Sequence, residues 1–160
     1  MTPDGFTVPV EDRYFEDYTA GTTHEYGGLT ISEEEIVEFA AQYDPQSFHV
    51  DPVAAKDGPF GGLIASGWHT VALMMKLFAK YYLSTVASLG SPGVDELRWL
   101  RPVRPGDRLS LRVHVLETRP SRSDPSRGIV RTLAELLDED GSPVLSVTVI
   151  NLLRTRPPVR

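Results

Sequence analysis

Apolar residues along this chain change their period once, and that change divides it into two halves. In the first half Ile36, Phe39, Ala40 and Tyr43 recur three and four apart, which places them on one face of a helix. Ser32 is a good N-cap for that helix, and Glu35 follows in capping-box position. Glu33, Glu34 and Glu35 suit its positive end. Pro45 disfavours helical geometry at Asp44 and so ends it. Asp51 followed by Pro52 signals the cap and first residue of a second short turn over 51–55, broken by Asp57-Gly58-Pro59. Residues 58–67 form a loop with four glycines. From residue 67 or 68 to 84 little polar face is left, which predicts a long helix surrounded by protein, with Ser66 as its cap.

In the second half the period becomes two. Leu109, Leu111, Val113 and Val115 alternate with polar residues, as do Leu145, Val147 and Val149. Strands are expected over 94–102, 108–118, 128–138 and 143–155. Turns fall at Pro105-Gly106-Asp107 and Asp140-Gly141, and 120–127 is a polar loop. A short strand over 22–30 precedes the first helix, and 1–21 is expected to be an arm packed on the body or on a partner chain. Strands this long can curve around the long helix. The chain reads as one α+β domain over 1–160, without repeat or linker.

Composition narrows the function. A length of 160 residues supports one domain with a real core. The net charge of -6, with no basic stripe, argues against nucleic-acid binding. The chain has no cysteine, which excludes disulfides and a thiolate nucleophile and fits a reducing cytoplasm. Residues 1–12 lack the basic and apolar regions of a signal peptide, so none is expected. The apolar stretch 68–89 is interrupted by His69, Lys76 and Lys80 and reads as a buried helix, not a membrane span. No His/Asp/Glu spacing suggests a metal site, and no glycine loop has a nucleotide-binding pattern.

The chemistry concentrates in Tyr43-Asp44-Pro45-Gln46-Ser47-Phe48-His49 and in Phe60-Gly61-Gly62-Leu63-Ile64-Ala65-Ser66-Gly67. Asp44 stands at a helix C-terminus, where the dipole disfavours negative charge, so another reason for it is sought. It is either a carboxylate that holds and deprotonates a water or a solvated turn residue before proline. His49 is either an acid/base partner of Asp44 or a core histidine bonded to a carbonyl. Gly67 offers an N–H at a positive helix end, or simply allows close packing. Ser66 is a cap with no base paired to it, which argues against a serine hydrolase. His69 is expected to pack or cap.

The order of these elements and the motif over 43–67 resemble the MaoC-like dehydratases, which include (R)-specific enoyl-CoA hydratases. The family's signature Asp, His and small residue match Asp44, His49 and Ala55, and its helix-entry Gly matches Gly67. Arg101-Pro102-Val103-Arg104-Pro105-Gly106-Asp107 matches its strand-turn segment. Gln46-Ser47 replaces the usual Asn-Pro, and Ser66 replaces the usual His. The resemblance implies a hotdog fold, a long helix wrapped by a curved antiparallel sheet. It also implies reversible hydration of a trans-2-enoyl thioester to the (R)-3-hydroxyacyl thioester. Asp44, His49 and Gly67 would be catalytic. Gln46, Gly62 and Ser66 are expected to touch substrate, with Gln46 alternatively orienting the loop. The resemblance implies no metal or redox cofactor; coenzyme A or a carrier's phosphopantetheine arm is part of the substrate. A homodimer or dimer of dimers is expected. A hotdog thioesterase is the nearest rival, and residues 67–84 lack the carboxylate it would use. A non-catalytic acyl-CoA-binding or partner subunit is the third reading.

Overall fold

Alternation along the strands decides which side of the sheet is dry. The structure, a computed structural model, describes residues 5–160, so the first four positions of the expected arm lie outside it. The elements are β1 (Thr23–Thr30), α1 (Glu33–Tyr43), α2 (Ser47–Val50), α3 (Pro52–Lys56), α4 (Gly67–Tyr81), β2 (Gly93–Trp99), β3 (Arg108–Pro120), β4 (Arg127–Leu137) and β5 (Pro143–Arg154). The strands form one sheet in the order β1-β3-β4-β5-β2, every neighbour antiparallel. On β3, Leu109, Leu111, Val113 and Val115 are buried, while Arg112 and His114 between them remain partly exposed. Val113 faces Ala134 across the ladder, Ala134 faces Val147, and both partners are buried. This inner face packs against Met74, Leu77 and Phe78 of α4 in one core, giving the hotdog arrangement.

Local chemistry sets the ends of the elements. Ser32 and Glu35 form the expected capping box of α1, and Asp51 accepts from Val53 N–H and Ala54 N–H to start α3. In β1 the register shifts between Tyr26 and Leu29. A Cβ on Gly28 would lie 2.0 Å from the Leu109 carbonyl oxygen, so this close approach requires glycine.

Four expectations change. The short helix α2 was not anticipated, because one turn is too brief to show a period. β2 stops at Trp99 instead of running to 102; Leu100 N–H and Arg101 N–H both turn to the Val144 carbonyl, and Pro102 has no N–H to continue a ladder. α4 ends at Tyr81 instead of 84, because Leu83 N–H returns to the Phe78 carbonyl and the Tyr18 hydroxyl accepts from Ser84 N–H. Nor does one chain surround α4. Trp68, Ala72, Met75 and Ala79 are exposed, and so is nearly all of edge strand β2.

The arm supplies the cap at the end of α4. Arg13, buried to 1% exposure, donates to the Tyr81 and Tyr82 carbonyls at 3.1 and 2.9 Å. It also bonds the Val8 carbonyl, and its guanidinium lies 3.6 Å over the Phe6 ring. A cation at a helix C-terminus satisfies carbonyls that have no partner within the helix. Arg13→Met should therefore cost about 2–4 kcal/mol, read as a lower urea midpoint at unchanged slope. An unaltered midpoint would show that the arm does not hold α4.

Candidate active site

The proline that ends α1 also turns its last carboxylate inward. Asp44 N–H still bonds the Ala40 carbonyl at 2.8 Å, but the Asp44 backbone is no longer helical (φ -155°, ψ 68°). Gln46 N–H folds back on the Asp44 carbonyl at 2.8 Å and caps α2, the turn that carries His49. His49 thus reaches Asp44 from a helical turn.

His49 meets both a backbone carbonyl and the carboxylate. Its Nδ1 lies 2.7 Å from the Ile64 carbonyl oxygen. A carbonyl only accepts, so Nδ1 carries the proton. Nε2 is left facing Asp44 Oδ2 at 3.3 Å, with the imidazole buried. Protons therefore enter and leave this ring at Nε2, beside the carboxylate. The Ile64 N–H in turn bonds the Phe48 carbonyl at 3.1 Å, so α2 and the glycine-rich loop clamp each other.

Asp44 has two further partners. Gln46 Nε2–H donates to Oδ1 at 2.7 Å, and the Ser66 hydroxyl donates to Oδ2 at 2.7 Å. Partial burial pushes the carboxyl up. The bonds from Ser66 and Gln46 and the charge of His49 outweigh that and hold it below the usual carboxylate range. Asp44 is ionised near neutral pH.

Ser66, fully buried, joins this carboxylate to the next element. Its Oγ caps α4 by accepting from Trp68 N–H at 3.3 Å. Gly67 is the first residue of α4, and its N–H has no acceptor among the described residues. Asp44, His49 and Gly67 line one cavity of about 400 Å³, with Gln46 and Thr70 and an aromatic rim of Phe48, Phe60, Trp68 and Trp99. An ionised acceptor, an imidazole that exchanges a proton at Nε2 and a free backbone donor thus share one largely apolar hollow. That set can hold a water, move its protons and stabilise a developing oxyanion.

Not every expected residue lines the cavity. Gly62 is absent from the lining and stands beside the Arg104 guanidinium, 3.4 Å from where its Cβ would be. Ser66 reaches the site through Asp44 and not through the hollow itself. His69 packs as expected, its ring stacked on Phe39 at 4.5 Å. Thr70 and Trp99 were not foreseen as lining residues. A tryptophan at the end of a strand carries no site signal until the strand's register is known. Among the described residues no group of three or more His, Cys, Asp or Glu side chains could hold a metal, and no helix is long and apolar enough to cross a membrane.

Comparison with known proteins identifies the family and the fold. The family model described as "MaoC like domain" matches residues 17–135. The crystal structure of a MaoC-like dehydratase from Rhodospirillum rubrum superposes with a TM-score of 0.84 at 36% identity, covering 91% of this chain and 99% of that one. R-hydratase PhaJ1 from Pseudomonas aeruginosa superposes with a TM-score of 0.72 at 25% identity, covering 92% and 95%. The 3-hydroxyacyl-thioester dehydratase Z of Mycobacterium tuberculosis is 40% identical over 83 residues, which span 51% of this chain and 55% of that protein. With most of its length matched by the model and the hotdog frame in place, this chain belongs to the MaoC-like dehydratase family.

Proposed function

We propose that this protein reversibly adds water to a trans-2-enoyl thioester, giving the (R)-3-hydroxyacyl thioester. The observation that carries the reading is the 3.3 Å approach of His49 Nε2 to Asp44 Oδ2 on the wall of a cavity that Gly67 also lines. A water in that cavity donates to ionised Asp44 and meets Nε2 of His49. Its oxygen attacks C3 of the enoyl group, and its released proton passes to the pair. Electron density moves onto the thioester oxygen, where the Gly67 N–H stabilises it. Such a donor contributes about 3–4 kcal/mol to a transition state of this kind. C2 then takes a proton from the same pair, so atoms and charge balance. Dehydration is the reverse path.

The step relocates protons without changing oxidation state overall, so it requires no redox cofactor, and no step is assigned to a metal. Coenzyme A or a carrier's phosphopantetheine arm enters as part of the substrate. The pairing of Asp44 with His49 favours this over a non-catalytic binding role, and α4 carries no carboxylate to direct water at the thioester carbonyl. The setting we propose is cytoplasmic fatty-acyl metabolism.

The open face of α4 and the unpaired edge of β2 suit a second copy. Val94, Trp99 and Leu100 are 47–50% exposed there, and a free edge invites pairing. We propose a homodimer, or a dimer of such dimers.

Turnover, its pH dependence and the assembly state each test this reading. Loss of enoyl-thioester absorbance without release of free thiol is expected; thiol release would point to a thioesterase, and binding without turnover to a binding subunit. Asp44→Asn and His49→Ala should each lower kcat by about 10²–10⁴-fold with the far-UV spectrum kept, and near-normal turnover by either would refute the pair.

The second concerns pH. The ionised form of Asp44 is the active one, so activity is present above its pKa and lost as pH falls through it. Ser66→Ala removes a bond that lowers that pKa, so the acid limb of kcat/KM should move to higher pH. An unmoved limb would separate Ser66 from the chemistry. Third, light scattering should give at least twice the 17.7 kDa chain mass, and a single-chain mass would remove the dimer.

A further inference from the structure

A glycine that must aim its N–H in one direction lacks the side chain that would hold it there. At Gly67 another residue takes that place. A Cβ built on Gly67 would lie 2.6 Å from both Cε2 and Nε1 of Trp99. The same indole Nε1–H donates to the Gly67 carbonyl at 2.7 Å. Trp68, the next residue of α4, meets Trp99 edge to face at 5.3 Å, and both line the cavity. The first turn of α4 is thus gripped from the side by one residue of β2.

The strand is irregular where this requires it. Val94 pairs with Val149 and Trp99 with Leu145, five residues apart on β2 but four apart on β5. The extra residue falls between Asp95 and Arg98, where Glu96 adopts φ 52°, a left-handed conformation uncommon for a non-glycine. In an unbulged strand Arg98 would stand opposite Leu145, and Trp99 would turn to the outer face. With the bulge, Trp99 faces α4.

We propose that Trp99 is a positioning residue for the Gly67 amide and that the bulge in β2 exists to deliver it. The indole fills the Cβ space of Gly67 and fixes its carbonyl, and so sets the direction in which its N–H enters the cavity. On this account Gly67 is glycine because Trp99 needs the room, as well as for any approach by the acyl group. The catalytic part of the proposal rests on the hydratase reading.

The test is a double-mutant cycle on Gly67→Ala and Trp99→Ala, with Trp99→Phe alongside, followed by thermal unfolding and by kinetics with the trans-2-enoyl-CoA that the wild type turns over fastest. Gly67→Ala should lower the melting midpoint by roughly 5 °C in the presence of Trp99 and by less than about 1 °C in the Trp99→Ala background. Trp99→Phe keeps an aromatic ring but loses the N–H. It should lower kcat roughly 10- to 100-fold while KM moves less than about threefold. A tryptophan that only stabilised the fold would move the midpoint and leave kcat alone. Trp99→Phe with kcat within about twofold of wild type, or a Gly67→Ala cost equal with and without Trp99, would overturn the proposal. The melting cycle involves no substrate, so it decides the Trp99–Gly67 contact even if the wild type hydrates no enoyl thioester, the outcome that overturns the hydratase reading itself.

Discussion

The carboxylate of Asp44 is the point at which the separate parts of this fold are tied together. Its position is unfavourable twice over: it is partly buried, and it stands at the negative end of α1. Three side chains offset this, and each arrives from a different place. Gln46 comes from the turn after Pro45, His49 from α2, and Ser66 from the start of α4. The hydroxyl of Ser66 lies at the positive end of α4, so the dipole of one helix compensates that of the other. An ionised group that needs all three partners fixes their relative positions. The geometry that keeps Asp44 charged is the same geometry that places His49 Nε2 and the Gly67 amide around one cavity.

That arrangement needs a rigid support, and the segment joining β2 to β3 supplies it through backbone contacts. Ala65 N–H bonds the Val103 carbonyl at 2.8 Å, and Ile64 is held on both sides by α2. The glycine-rich loop is therefore pinned between the helical motif and the segment 101–107. At the far end of α4, Arg13 and Tyr18 hold the last carbonyls, so the helix cannot slide along the sheet. The loop is rich in glycine, yet hydrogen bonds fix the part of it that matters.

Most of the fold was legible because it depends on local rules. The caps at Ser32 and Asp51, the stop at Pro45 and the alternation of β3 and β5 follow from residue chemistry within a few positions of each other. The pair Asp44 and His49 was legible as residue types at a given spacing. Their approach was not, because α2 is a single turn with no period to read. Gln46 was found as a site residue, but its role as donor to Asp44 depends on the fold. Gly62 was misplaced, since its loop turns it toward Arg104 and away from the cavity. The exposed flank of α4 was misjudged for a different reason: apolar residues on every side imply burial, but not by which chain. Trp99 was invisible because a bulge shifts the faces of a strand without leaving a mark on its hydrophobic pattern.

Several places where local rules break gather around one cavity. An aspartate ends a helix, a glycine begins one, a glutamate takes a left-handed backbone, and two tryptophans stand at 59% and 47% exposure. Apart from Glu96, all of these line one cavity, and Glu96 lies three residues before one of its walls. A left-handed non-glycine residue costs of order 1–3 kcal/mol and persists only where its surroundings hold it. On an edge strand with one neighbour, little packing is available to do so. Glu96 is held by Arg98, whose guanidinium donates to its carboxylate at 2.7 Å, and the bulge brings the indole of Trp99 onto Gly67 with a hydrogen bond to its carbonyl. Conflict between local preference and the observed conformation is expected where a fold serves chemistry, and here it marks the cavity around Asp44.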